Sequence, residues 1–235
     1  MARPLWPGSD PLGCGSWYDL ADDVRCSLTA RDVEGVIGVG HSLGGVLSAI
    51  AAAGTPTLFS ALALVDPVVF SGVHRLFWGA LKGLGFGHRL PLIRGARRRR
   101  DRFPDLDTVR SSYRRKAVFQ NWSATVLEDY IRSGFTEDGL GGVELQYSKA
   151  WEARVFELTP ANVWPELRRL EIPMLFVHGA ASDTFTRAAA TSVRRQLPHA
   201  TVVEVPDATH FLPMERPNRV ATVITEWAQG LPVDC

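Results

Sequence analysis

The sequence predicts an α/β fold built on a parallel sheet, and three observations predict it. Short apolar runs of strand length recur along the chain. Segments of helical periodicity lie between them, and Gly and Pro mark the junctions. The 235 residues, 46% hydrophobic and 22% charged, suffice for one globular core with an insertion. That composition excludes a disordered chain. No apolar run is long enough to span a bilayer, and Met1-Ala-Arg-Pro-Leu-Trp lacks the apolar stretch of a secretory signal.

Trp17, Leu20, Ala21, Val24 and Leu28 fall on one face of a helix. Gly35–Gly40 reads as the first buried strand. Leu43, Val46, Leu47 and Ile50 give a second helix, which Gly54 and Pro56 stop. Ala61–Asp66 is the second strand, Pro173–His178 the third and Thr201–Val205 the fourth. Val220, Val223, Ile224 and Trp227 mark a helix near the end.

About a hundred residues separate the second strand from the third, whereas a crossover needs only ~10–12. The core is therefore assigned to 1–70 and 171–235, and an insertion, mostly helical, to 71–170. Gly83–Gly87, Pro91, Pro104 and Gly139–Gly142 break it, and its many aromatic residues suit a small core of its own.

Charge is even overall, +1 with 26 basic and 25 acidic residues, but uneven along the chain. Between Val73 and Arg132 stand fourteen Lys and Arg against five Asp and Glu, densest at Arg97-Arg98-Arg99-Arg100. A solvated helical face explains such a run most simply, and the near-zero net charge speaks against a nucleic-acid binder. Cys14, Cys26 and Cys235 are odd in number and lack metal-ligand spacing. They fit a reducing cytoplasm, with no metal and no disulfide scaffold.

One motif carries chemistry. Gly40-His41-Ser42-Leu43-Gly44 is a G-x-S-x-G pentapeptide between a predicted strand and a predicted helix. Its glycines, Gly40 and Gly44, permit a strained turn with closely packed backbone, which lifts the Ser42 hydroxyl to a helix N-terminus. Serine needs a base to become a nucleophile. His210, in Pro206-Asp-Ala-Thr-His-Phe-Leu-Pro after the last strand, is best placed, because open α/β sheets build sites at the C-terminal edge. The base needs an acid to hold its tautomer. Asp183 follows the third strand and is assigned that role, with Asp66 of Leu64-Val-Asp-Pro as the alternative. The plainer reading of Asp183 is an N-cap of the next helix.

The segments Val39-Gly-His-Ser-Leu-Gly-Gly, Phe176-Val-His-Gly-Ala-Ala-Ser-Asp and Thr209-His-Phe-Leu-Pro-Met-Glu-Arg-Pro resemble the α/β-hydrolase superfamily. More narrowly, the chain is similar to its capped, lid-bearing bacterial members. The resemblance implies helices on both faces of the sheet and a lid at 71–170. It also implies Ser42 as nucleophile, His210 as base and Asp183 as acid, in the family's chain order. The oxyanion hole would draw one backbone N–H from Leu43 and a second from a loop after the family's third strand. Family members carry about eight strands, with the nucleophile after the fifth. Arg3-Pro-Leu-Trp-Pro-Gly-Ser-Asp-Pro resembles the segment just after the fourth strand. Only 34 residues precede Gly35. Four strands with their connections need roughly 60–80.

The expectation is thus a core lacking the N-terminal part of the sheet, without the second oxyanion donor. Gly35–Gly40 would be an exposed apolar edge open to self-association. The expected activity is ester or related acyl hydrolysis on a small-molecule substrate, through an acyl-enzyme and without cofactor. The alternatives are carbon–carbon bond hydrolysis on the same fold and a catalytically impaired, truncated fragment.

Overall fold

The computed structural model describes residues 10–84 and 90–231. Helix α1 (Trp17–Thr29) starts at a capping box: Ser16 Oγ accepts from Asp19 N, and the Asp19 carboxylate accepts from Ser16 N. It buries Trp17, Leu20 and Ala21, part of the face marked by the periodicity. Strand β1 (Val36–His41) runs into α2 (Leu43–Gly54), and β2 (Phe59–Val65) follows. Next come α3 (Gly72–Gly83), α4 (Pro91–Arg98), β3 (Arg102–Phe103), α5 (Leu106–Tyr113), α6 (Ala124–Gly134), β4 (Phe135–Glu137), β5 (Val143–Leu145) and α7 (Lys149–Leu158). The chain continues through α8 (Trp164–Leu167), β6 (Met174–Gly179), α9 (Arg187–Gln196), β7 (Thr201–Val205), α10 (Leu212–Glu215) and α11 (Pro217–Gln229). The four strands expected from the apolar runs are β1, β2, β6 and β7, each within two residues of its expected bounds.

The chain divides into two compact units. Among the described residues, the first holds 16–81 and 160–231, and the second 10–15, 82–84 and 90–159. The first unit thus takes in most of α3 and residues 160–170, which the sequence assigns to the insertion. Local bonds explain this. Trp164 Nε1–H donates to Phe70 O at 2.8 Å, the Phe70 and Trp78 rings lie 5.1 Å apart, and Tyr18 Oη–H donates to Glu166 at 2.7 Å.

The first unit carries a parallel sheet in the order β1-β2-β6-β7. Helices cover both of its faces. Ala63, Val65, Leu175 and Val177 pack with Leu212, Val220 and Val223 of α10 and α11. Side chains alternate along a strand, so Gly38, Gly40, Leu62 and Leu64 turn to the opposite face, toward α2. A Cβ on Gly40 would lie 2.5 Å from the backbone of Gly44 and Gly45, so α2 approaches β1 only because Gly40 is glycine. Among the described residues β1 pairs with β2 alone. Ile37 and Val39, in register with Ala61 and Ala63, are 41% and 57% exposed. They are the apolar edge expected from the sequence. Residues 3–9 of the segment Arg3–Pro11 lie outside the described residues, as do Cys235 and residues 85–87 of the Gly83–Gly87 break.

The second unit is not purely helical. A three-stranded antiparallel sheet, order β3-β5-β4, accompanies α4 to α7. Its strands have two or three residues, too few to show a period of two. Phe103, Tyr113, Phe119, Trp122, Tyr130 and Phe135 form one ring cluster with centroids 4.6 to 6.4 Å apart. These aromatic residues are the unit's own core. Arg154 donates to Cys14 O at 2.7 Å and ties residues 10–15 to α7. Arg97 pairs with Glu157, Arg99 with Glu152, Arg102 with Glu144, and Arg110 and Arg132 both with Glu128. The basic stretch is a solvated surface laced with ion pairs, each of modest worth in water.

Candidate active site

The site assembles at the C-terminal edge of the parallel sheet, where β1, β2, β6 and β7 all end. β1 delivers Ser42. Its backbone sits at φ 54°, ψ −117°, in the region L-residues rarely adopt. Three contacts hold the strained turn. Ser42 N–H donates to Val65 O at 2.9 Å, Ser42 O accepts from Val46 N–H, and Gly45 lies close against Gly40 O. Leu43 is the first residue of α2, so its N–H has no acceptor within the helix and is a donor beside Ser42.

β7 leads to His210. The loop before it crosses β6 so closely that a Cβ on Gly179 would stand 2.4 Å from the carbonyl oxygens of Ala208 and Thr209. Glu215, itself buried, clamps the loop. Its two carboxylate oxygens accept from Thr209 N–H at 2.7 Å and from Thr209 Oγ1–H at 2.8 Å. Thr209 Oγ1 in turn accepts from Phe211 N–H at 3.2 Å. Both neighbours of His210 are thereby fixed. His41 adds a third restraint. Its Nε2–H donates to His210 O at 2.8 Å, and the two rings lie 4.9 Å apart. Burial holds the His41 imidazole below its ordinary pKa, so it stays neutral and carries its proton on Nε2, the atom facing the carbonyl.

The carboxylate at His210 is Asp66, at the end of β2. Asp66 Oδ1 accepts from His210 Nδ1–H at 2.8 Å, and Asp66 is wholly buried. Oδ1 also accepts from Ser182 Oγ–H at 2.6 Å and Phe185 N–H at 3.2 Å, and Oδ2 accepts from Gly179 N–H at 3.1 Å. A buried carboxylate needs such hydrogen-bond partners in place of water. The assignment of Asp183 is therefore corrected. Asp183 is exposed, accepts from Thr184 Oγ1–H at 3.3 Å and makes no bond to His210. Nor does it cap a helix, because Thr186 caps α9. The turn after β6 rotates Ser182 inward and Asp183 outward, and a one-residue difference decides which reaches the site.

Ser42, Leu43, His41, Gly40, Gly44, His210 and the alternative acid Asp66 thus stand at one sheet edge, and Asp183 stands apart from the histidine. Sequence reasoning missed Ser182, Glu215 and Gly179. Glu215 had a readable signal, a lone acid five residues after His210 in an apolar segment. His178, next to last in β6, is fully buried, and burial lowers its pKa. Among the described residues no group of three His, Cys, Asp or Glu side chains is arranged to hold a metal ion. No helix among them is long and apolar enough to cross a membrane.

The clamp is testable. Glu215→Gln puts an amide donor against one of the Thr209 donors. A stability loss of about 1.5–3 kcal/mol is expected, the usual worth of hydrogen bonds to a charged group. A lowered Tm together with reduced activity checks it; an unchanged Tm would show that the loop is held by other means.

A strained serine elbow, a histidine after the last strand and a buried aspartate on one parallel sheet define a class that known proteins confirm. A profile of the alpha/beta hydrolase family matches residues 2–223, and the chain belongs to that family. It is similar to the abhydrolase domain-containing protein AFT2-1 of the fungus Alternaria alternata, 26% identical over 230 residues and covering 83% of each chain. The sequence resemblance pointed to bacterial members, and this relative is fungal. Among solved structures it resembles E-2-(acetamidomethylene)succinate hydrolase, with a TM-score of 0.79 and 24% identity over 96% of this chain and 78% of that one. It also resembles the Mycobacterium tuberculosis esterase Rv0045c, with a TM-score of 0.70 and 20% identity over 97% and 74%. At these identities the two structures speak for the fold alone.

Proposed function

We propose that the protein is a serine hydrolase that cleaves an ester or related acyl bond through an acyl-enzyme, with Ser42, His210 and Asp66 as its triad. The observation that carries this reading is the 2.8 Å bond from His210 Nδ1–H to buried Asp66, made by a ring that lies against the elbow residue His41. With Nδ1 protonated, His210 Nε2 is free to accept a proton. It takes the Ser42 Oγ–H proton as Oγ bonds to the substrate carbonyl carbon. Leu43 N–H faces the oxyanion that develops, and the strained elbow holds that donor in place beforehand. His210 returns the proton to the leaving oxygen as the carbon–oxygen bond breaks. It then deprotonates a water that attacks the acyl carbon, and returns that proton to Ser42 Oγ as the acyl carbon–Oγ bond breaks, which frees the acid and restores the serine. Asp66 stabilises the imidazolium throughout without taking its proton. Relatives whose names are hydrolase and esterase are consistent with this reading.

A fluorophosphonate probe tests it. Labelling at Ser42 is expected, and it should vanish in Ser42→Ala. Labelling that survives the substitution would move the nucleophile elsewhere. Turnover of short acyl esters is expected over that of ring-cleavage-type diketones. Hydrolysis of the diketones alone would replace ester cleavage with carbon–carbon bond hydrolysis.

A further inference from the structure

Asp183 has no part in the bond to His210, yet it lines a cavity. That cavity, of about 140 Å3 and open to solvent on one side, is lined by Phe70, His74, Phe77, Trp78 and Asp183 among others. Its chemistry is uneven. Three aromatic rings form its walls, with Phe70 and Trp78 at 5.1 Å and tilted by 35°. Asp183 is its one carboxylate, and no Lys or Arg lines it. Among the described residues Asp183 forms no ion pair, in a chain whose arginines find carboxylates elsewhere. Aromatic faces carry negative charge and attract cations, most strongly organic ammonium groups that shed their water easily. Rings beside an unpaired carboxylate favour a cation over an anion, and His74 is the one basic side chain that lines the cavity.

The cavity also shares two loops with the surroundings of Asp66. The segment after β2 that starts at Asp66 supplies Val69, Phe70 and Ser71. The turn after β6 supplies Asp183 and Thr184, between Ser182 and Phe185, which both donate to Asp66. A group held there is anchored to the two loops that set the acid of the triad.

We propose that this cavity is a binding subsite for the ammonium headgroup of the substrate, with Asp183 and Trp78 as its specificity-determining residues. The substrate class is an ester that carries a quaternary or primary ammonium on its alcohol or acyl part. Phe70, Phe77 and Trp78 face the cation's methyl or methylene groups, Asp183 balances its charge, and the hydroxyls of Ser71, Thr184 and Thr186 accept hydrogen bonds where the ammonium carries protons. The meaning of the bound group as substrate rests on the hydrolase reading; the binding itself does not.

The test separates the two. Butyltrimethylammonium is titrated calorimetrically into the full chain, the Ser42→Ala variant, Asp183→Asn and Trp78→Leu. Saturable binding is expected in the first two. About tenfold weaker binding is expected in each of the others, the size of one partly desolvated cation–aromatic contact or ion pair. Asp183 is exposed, so its substitution leaves the fold intact; Trp78→Leu reports independently through the wall. Turnover is then compared between the acetyl ester of choline and its uncharged tert-butyl isostere. The ratio of their kcat/KM values should favour the charged ester and fall about tenfold in Asp183→Asn. Absence of saturable binding, or binding indifferent to both substitutions, would overturn the subsite. Binding as expected without turnover of either ester would keep the subsite and overturn the hydrolase reading.

Discussion

Asp66→Asn is expected to lower kcat/KM by about 10⁴, the scale seen when a triad aspartate loses its charge while its geometry survives. The carboxylate takes four donors on two oxygens: His210 Nδ1–H, Ser182 Oγ–H and Phe185 N–H on Oδ1, and Gly179 N–H on Oδ2. An amide cannot satisfy that set. With its oxygen toward His210, its NH2 faces Gly179 N–H, donor against donor. With its NH2 toward His210, the ring must put its own proton on Nε2, and that nitrogen can no longer accept from Ser42. Either orientation leaves a buried donor unmatched, at about 1–3 kcal/mol. The comparison that decides the acid is Asp183→Asn on an uncharged ester. Because Asp183 makes no bond to His210, its loss should remain smaller by about two orders of magnitude or more. A larger loss at Asp183 would restore it as the acid. Circular dichroism of Asp66→Asn separates lost chemistry from lost fold.

Gly179→Ala should cost about a hundredfold in kcat/KM, through geometry alone. The backbone angles of Gly179 suit any residue, so the argument is steric. The new Cβ would stand 2.4 Å from two carbonyl oxygens and 2.7 Å from Ala208 C, all backbone atoms. Backbone cannot rotate aside as the tip of a side chain can. The loop is further pinned by Ala181 N–H on Ala208 O at 2.9 Å and by the Glu215 clamp beyond. The strain therefore passes to His210, and a displacement of about 1 Å in a catalytic group costs about 10² in rate. Overpacking of this kind also destabilises by about 1–3 kcal/mol. A lowered Tm and slowed fluorophosphonate labelling are the measurements. Unchanged values for both would mean that the loop yields freely.

The four strands of the sheet could be read because parallel strands buried on both faces appear as unbroken apolar runs. Their bounds moved by two residues at most. The elbow could be read because the strain at Ser42 demands Gly40 and Gly44 nearby, and such demands are written locally. The short strands β3, β4 and β5 could not, because two or three residues carry no periodicity. Residues 160–170 join the first unit through Trp164 and Glu166, by bonds to Phe70 and Tyr18 far away in the chain.

The amino-acid sequence by itself determined the sheet, the elbow at Ser42 and the place of His210 after the last strand, since each follows from the order of residues within one short segment. Only the tertiary structure decided which carboxylate bonds His210. Asp66 and Asp183 both stand after strands that end at the same edge, and nothing local distinguishes them. Asp66 takes that place because the end of β6 and the turn after it deliver three of its four hydrogen-bond donors from more than a hundred residues away, and those donors satisfy a fully buried carboxylate. The same turn sends Asp183 outward, into the aromatic cavity.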